Sequence, residues 1–343
     1  METEVIKVTE DNLKEVAEKA AEILCSKGLV SVPTETVYGL MGDAFSDEVS
    51  EKIFEAKGRP SDNPFIVHIS DLVMLNSVVR EMPDSAVELA KRFWPGPLTM
   101  ILHKNKNISD KATCGLDTVA VRMPSNPIAL AVIQESGLPL SGPSSNLSGR
   151  PSPTSAAHVF DDLNGRIPLI IDGGPCSVGV ESTVISLVGD VPTILRPGII
   201  SLEEIRKILP DTVVSHAVTE ELKEGETVLS PGMKYKHYSP LAEVYLIKGS
   251  FEKFREYVNE HSQGGTYAMC FDGEEDAAGI PAISYGPEND PETQAKNVYK
   301  VLRAFDKFGA YVVYARCPEM TGKSLSVYNR MIRAAGFKVI DLE

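Results

Sequence analysis

Between residues 10 and 27 the apolar positions Leu13, Val16, Ala20, Ile23 and Leu24 recur at helical spacing and Gly28 follows as a stop, so the spacing predicts a helix. The apolar run at 29–33 then predicts a buried strand. A second helix is expected over Asp47–Lys57, with Val49, Ile53 and Phe54 inward and Gly58 ending it. Next come a strand over 64–69 and a helix over 84–93, which stops at Trp94-Pro95-Gly96-Pro97. Strands at 98–103, 118–123, 138–142 and 168–172, with a helix at 126–136, complete the alternation. Residues 183–187 and 192–196, joined across Gly189-Asp190, read as a hairpin. A hairpin added to alternating strands and helices predicts an α/β unit with a mixed, twisted sheet.

Ser201 and Glu204 have capping-box spacing and open a short helix to Leu209. Residues 210–240 then lose all sustained period and contain Ser230-Pro231-Gly232 and Ser239-Pro240, as a connector would. From Glu243 strands alternate with helices at 251–261, 291–308 and 324–335, which predicts right-handed crossovers and a small, mainly parallel, Rossmann-like sheet. The expected division is 5–209, a linker at 210–240, and 241–343.

Composition agrees with this picture. A chain of 343 residues has room for about 2 domains. With 43% hydrophobic and 24% charged residues it is neither disordered nor fibrous. No apolar run is long enough for a membrane span, and the acidic first residues are unlike a secretory leader. The five cysteines stand singly, without a CxxC pair, which fits a reducing cytoplasm. Net charge is −14, carried as −9 over residues 1–200 and −5 over 201–343. Neither part has the basic stripe of a protein that holds nucleic acid by its phosphates, so an anionic ligand must be held by a few cations in a pocket.

Common catalytic signatures are missing: there is no GxGxxG, HExxH or GxSxG. The segment from Cys317 to Ser324 has part of a phosphate loop, but its first glycine is Cys317 and Pro318 removes an amide, so Gly322-Lys323-Ser324 reads as a loop and helix cap. Three segments carry chemistry. Lys57-Gly58-Arg59-Pro60-Ser61-Asp62-Asn63 places two cations, a hydroxyl and an amide in a proline-braced loop. Lys plus a forked Arg suits phosphate, whereas a cation ending a helix accounts for Lys57 alone. Ser141-Gly142-Pro143-Ser144-Ser145-Asn146 follows a strand, and is either a plain turn or a set of free amides and hydroxyls at a ligand edge. Pro33-Thr34-Glu35-Thr36-Val37-Tyr38 is a hydroxyl-rich turn open to the same two readings. Arg122 falls in a strand where an unpaired buried cation would be costly; an internal ion pair or a bound carboxylate would relieve it equally. His68, taken alone, reads as a core histidine.

Together these segments, with Glu181-Ser182-Thr183-Val184, Arg196-Pro197-Gly198 and the linker from Ser230 to Pro240, resemble the YrdC-like domain and its two-domain members, the L-threonylcarbamoyladenylate synthases. Ser144-Ser145-Asn146 stands where that family has Ser-Ala-Asn. The resemblance implies condensation of L-threonine, bicarbonate or CO2 and ATP into threonylcarbamoyl-AMP with release of pyrophosphate, a nucleotidyl transfer, with Mg2+ carried by the nucleotide. Other proteins would pass the threonylcarbamoyl group to tRNA beside the anticodon, and tRNA itself would make at most a weak contact. Lys57 and Arg59 are the implied catalytic cations; with Asn63, Thr118, Ser144, Asn146, Arg196 and Tyr235 they would hold ATP. Thr36, His68, Arg122, Ser141 and Ser182 would line the threonine and carbamate side. No protein ligand to a metal is implied. The alternatives are an RNA-binding module without chemistry, which the charge of 1–200 disfavours, and a carbamoyltransferase, whose zinc-binding cysteine pairs this chain lacks.

One expectation is independent of any family. The connector packs Met233, Tyr235 and Tyr238 beside Lys234, Lys236 and His237, between Pro231 and Pro240. Such a segment is poorly suited to a passive tether and well suited to closing over an anionic nucleotide. Residues 230–240 are therefore expected to fold over the first unit's pocket, with Tyr235 reaching the ligand.

Overall fold

The computed structural model describes residues 2–220 and 237–343. The first unit is built on eleven strands: β1 Glu4–Lys7, β2 Val30–Val32, β3 Gly39–Asp43, β4 Ile66–His68, β5 Leu98–His103, β6 Thr118–Arg122, β7 Leu140–Ser141, β8 Leu169–Asp172, β9 Thr183–Ser186, β10 Thr193–Arg196 and β11 Val213–Val214. They form one sheet in the order β1-β8-β2-β3-β7-β4-β6-β5-β9-β10-β11. The sheet is mixed, as the sequence pattern predicts: β4 and β6 are parallel, β5 and β6 antiparallel, and β9 and β10 make the expected hairpin.

The helices obey their sequence signals. In α1 (Leu13–Cys25), Val16, Ala20 and Leu24 are buried and pack with Ile128, Val132 and Ile133 of α5 (Pro127–Ser136) over β2 and β8. Asn126 caps α5 through its side chain, and Gly137 ends it in the left-handed region. On the other face α2 (Asp47–Lys57) lays Val49 and Ile53 over Leu40. Gly42 of β3 permits that approach, because a Cβ there would sit 2.4 Å from Val49 Cγ1. α3 (Leu72–Val78) and α4 (Asp84–Phe93) cover the middle of the sheet, with Leu75, Val78, Ala86 and Leu89 packed on Met100 and Val121. α6 (Ala156–Leu163) packs beside α2, and α7 (Leu202–Arg206) opens with the expected reciprocal capping box.

The second unit has five strands, β12 Glu243–Lys248, β13 Thr266–Cys270, β14 Ala282–Ser284, β15 Val312–Arg316 and β16 Val339–Asp341, in the order β14-β13-β15-β12-β16. Every pairing in it is parallel. Its helices are α8 Phe251–His261, α9 Pro291–Lys307 and α10 Ser324–Ala334. Helix α9 lies directly on the loop before β9: Gly179 is in the left-handed region, and a Cβ there would fall 2.4 Å from Lys296 Cα. Between the units the chain continues through β11 into a 3-10 turn at His216–Val218. Arg333 Nη2 and Asn329 Nδ2 of α10 hold that turn through the carbonyls of Ala217 and Val218, at 2.6 and 2.7 Å. Among the described residues, no helix is long and apolar enough to cross a membrane.

Candidate functional site

Parallel β4 and β6 run side by side with His68 opposite Arg122, so both side chains arrive at the carboxyl ends of their strands. Open α/β sheets bind ligands at such an edge. Here a cavity forms, walled by the turn at 34–39, the loop at 142–150, the lead into β9, the end of β10 and the last residues of the connector. Of the residues singled out from sequence, Thr36, Lys57, Arg59, His68, Arg122, Ser144, Asn146, Ser182 and Arg196 line it. Asn63 lines an adjoining recess beside Arg59. Ser141 is fully buried next to the cavity, its Oγ without a hydrogen-bond partner. Thr118 does not line it; it sits at the other end of β6, opposite His103, beyond the apolar patch of Ile66, Ile101 and Ala120. Tyr235 lies outside the described residues.

One side of the cavity is built around Arg122. Thr34 Oγ1 takes the amides of Thr36 and Val37, at 3.2 Å each, and folds the polar turn tightly. Thr36 Oγ1 thereby accepts from Arg122 Nη1 at 2.9 Å, and Gly96 O accepts from Nε at 3.3 Å. Glu35 Oε1 lies 2.7 Å from Arg122 Nη2, yet the two are out of hydrogen-bonding line, and both Glu35 oxygens lack a hydrogen-bond partner. Both members of the pair are buried, so the guanidinium is fixed in place, with capacity for a carboxylate on its cavity side. His68 stands beside it with Nδ1 buried and unpartnered. Gly142 leaves room for that ring, since a Cβ would come within 3.1 Å of Nδ1.

The other side is cationic. Lys57, 2% exposed, donates from Nζ to the carbonyls of Ser144 and Asn146, so it fixes the loop as well as charging it. Ser144 Oγ donates to Asn146 Oδ1 at 2.5 Å, and Asn146 Nδ2 donates to the carbonyls of Leu147 and Arg150 at 2.9 Å each. Arg59 is more loosely held: Nη2 donates to Asn63 O at 3.1 Å, and Nε has no hydrogen-bond partner. Arg196 donates from Nε to Ser182 O at 3.1 Å and from Nη2 to Ser182 Oγ at 3.2 Å. His237 and Tyr238 of the connector complete the lining.

Burial acts on these charges. It lowers the Lys57 pKa far below the ordinary lysine value, with Arg59 adding to the effect. It brings Arg59 down to about 10 and lowers Arg196 as well. Cations under such desolvation stress are relieved by a bound anion. Among acids, Glu181 lines the cavity; burial pushes its carboxyl up, but Arg330 and Arg196 outweigh that and hold it at about 2. Burial, aided by Arg122, lowers His68 to about 3. His68 is therefore neutral near pH 7, and unfolding at lower pH lets it take a proton that the native state refuses. Its folded pKa lies below the unfolded value, so stability falls as pH drops below about 6.5. His68→Gln should escape this loss and gain about 2 kcal/mol relative to the parent on going from pH 7.5 to 5, as read by urea titration. An unchanged difference between the two pH values would mean that His68 is not held neutral.

The sequence assigns no role to Glu35 or Glu181, which appear only within a turn and a motif, and does not single out Arg303 or Arg330. Glu181 could have been noticed as an acid leading into an apolar strand. Arg303 and Arg330 fall on the buried faces of amphipathic helices, where an arginine needs a partner.

The family pattern described as Telomere recombination matches residues 22–198, and that described as Threonylcarbamoyl-AMP synthase, C-terminal domain, matches 200–336. The chain is 45% identical over 327 residues to the threonylcarbamoyl-AMP synthase of Bacillus subtilis, covering 94% of this chain and 93% of that protein. It is 44% identical over 326 residues to the protein of the same name from Pyrococcus abyssi, covering 94% of each. The fold superposes on the crystal structure of P. abyssi Sua5 complexed with L-threonine with a TM-score of 0.92 and 42% identity, over 99% of this chain and 100% of that one.

Proposed function

Since the chain belongs to the threonylcarbamoyl-AMP synthase family, we infer that it is a nucleotidyltransferase that joins L-threonine, bicarbonate or CO2, and ATP into L-threonylcarbamoyladenylate and pyrophosphate. The observation that carries the reading is the two-sided cavity: a fixed Arg122 on one side, and Lys57, Arg59 and Arg196 on the other. We assign the threonine carboxylate to Arg122, with Thr36, His68, Ser141 and Ser182 around the amino acid. ATP phosphates fall to Arg59, Arg196 and Asn63, while Lys57, Ser144 and Asn146 shape the nucleotide loop. Thr118 and Tyr235 stay as candidate nucleotide contacts, Thr118 the weaker because of its distance along β6. The division into a catalytic unit at 5–209, a connector at 210–240 and a Rossmann-like unit at 241–343 is part of the same reading, with the start of the connector, β11, adding a strand beside β10 to the first unit's sheet.

The chemistry needs no covalent nucleophile. The threonine nitrogen forms a bond to the carbon of CO2 and gives up a proton, leaving a carbamate. A carbamate oxygen then attacks the α-phosphorus as the bond to pyrophosphate breaks. Such transfers ask for positioning and for cations where negative charge develops, and the cavity supplies both. Mg2+ would enter on the nucleotide and neutralise phosphate charge. Among the described residues no cluster of His, Cys, Asp or Glu could hold a metal by itself. Asn63 Oδ1, buried and unpartnered beside Arg59, is an acceptor suited to a water on that ion. The downstream step, transfer to tRNA by other proteins in the cytoplasm, belongs to the proposal, and nothing favours RNA binding or carbamoyl transfer over it. Purified protein should release pyrophosphate from ATP only when threonine and bicarbonate are both present. Release of orthophosphate, or indifference to bicarbonate, would refute the reading.

A further inference from the structure

We propose that Arg303 and Arg330, from the second unit, are positioning residues for the nucleotide side of the cavity, each holding one of the loops that carry its polar groups. The proposal rests on the synthase reading above and adds to it what the second unit does. Arg330 projects from α10 and is fully buried. Its Nε donates to Glu181 Oε2 at 2.7 Å, Nη2 to Glu181 O at 3.2 Å, and Nη1 to Pro197 O at 2.7 Å. One guanidinium thus ties together the residues just before Ser182 and just after Arg196, the pair that face the cavity and bind each other. Tyr299 of α9 donates to the same Glu181 oxygen at 2.7 Å, and Ser152 donates to the other.

Arg303, one turn further along α9, does the same for the loop of Ser144 and Asn146. Its Nη2 donates to Pro151 O at 2.5 Å and to Asp162 Oδ2 at 2.7 Å. Asp162 in turn accepts from Arg150 Nη1 at 3.0 Å and from the Leu147 amide at 3.3 Å. Both arginines therefore act on main-chain carbonyls and on acids that brace loops. An ion pair serving only to join two units would not need this, and buried pairs are poor adhesive compared with apolar contacts.

The connector shows the same hand. Tyr238 is buried with φ at 63°, a backbone conformation costly for a large residue. It is kept there between the Tyr299 ring, 5.3 Å away, and the Arg330 guanidinium, 5.7 Å from its centroid. Next to it, Ser239 N donates to Gly149 O at 2.9 Å. On the threonine side, among the described residues, only Ser182 is braced in this way, through Glu181; Arg122 and Thr36 are held by Glu35, Gly96 and Thr34, all from the first unit. Loss of either arginine should therefore disturb ATP more than threonine.

The test uses the full chain with Arg330→Lys and Arg303→Lys, which keep the charge but lose the planar fork. The expected result is a fall of tenfold or more in kcat/KM for ATP, while threonine affinity without nucleotide, measured by calorimetry, stays within threefold. Should either protein fail to fold, Tyr299→Phe removes one hydroxyl from Glu181 and should lower kcat/KM for ATP at least threefold with threonine affinity unchanged. Parallel losses for both ligands, or none for ATP, would overturn the proposal. Failure of the wild type to release pyrophosphate with threonine and bicarbonate would instead count against the synthase reading, because direct ATP binding by these variants still reports on the loops.

Discussion

Arg122→Leu is expected to abolish threonine binding and to destabilise the protein by about 3–5 kcal/mol, the usual loss when one member of a buried ion pair is removed. Arg122 is 3% exposed and its partner Glu35 7% exposed, so the variant leaves a carboxylate in the interior with no cation beside it. Stability and binding should separate in the double variant Arg122→Leu/Glu35→Gln. Removing the orphaned charge should restore most of the lost stability in a urea titration, because the penalty lies in the unpaired acid. Threonine affinity by calorimetry should not return, because the fork that receives the carboxylate is gone. A double variant that binds threonine like the parent would reduce Arg122 to an internal ion pair.

Arg59→Ala should lower turnover by ~10²–10³ while leaving the fold intact. The side chain's protein bonds are few: Nη2 reaches the carbonyls of Asn63 and Pro64, Nε none, and the guanidinium lies 5.7 Å from the Phe65 centroid. A buried cation with little to do in the protein is available for charge that develops during transfer. Arg59→Lys should also be damaging, since an ammonium cannot reproduce the fork. Lys57 differs. Its Nζ is spent on the carbonyls of Ser144 and Asn146, so Lys57→Met should act through the loop, raising KM for ATP and lowering stability together. Wild-type turnover in a folded Arg59→Ala protein would remove Arg59 from the site.

Most of the fold was legible because its helices carry strong period and caps: α2, α4, α5, α8, α9 and α10 lie within a residue or so of the spacing that predicts them. β3 was not legible. Its sequence, Gly39-Leu40-Met41-Gly42-Asp43, has two glycines and no alternation, because both faces are buried and α2 needs Gly42 for contact. β1 was missed for the opposite reason, being a short polar edge strand, and α3 and α6 are short elements lost between stronger signals. In the site, loops with several polar groups in a few residues announced themselves. Arg122 was ambiguous in sequence because an internal pair and a ligand relieve it alike; the structure shows that the pair with Glu35 exists and leaves a cavity-facing side. Arg303 and Arg330 stayed hidden, since their partners lie well over a hundred residues away in the chain. The expectation that the connector closes over the cavity rests here on His237 and Tyr238, which line it; Met233, Lys234, Tyr235 and Lys236 fall outside the described residues.

The most direct test of the two-sided cavity is mass spectrometry of the product formed from ATP, 13C-bicarbonate and each amino acid in turn. Threonine should give an AMP adduct that carries the labelled carbon, with pyrophosphate released in equal amount, and Arg122→Leu/Glu35→Gln should give none. An adduct without the label, or label taken up with no threonine present, would contradict the account.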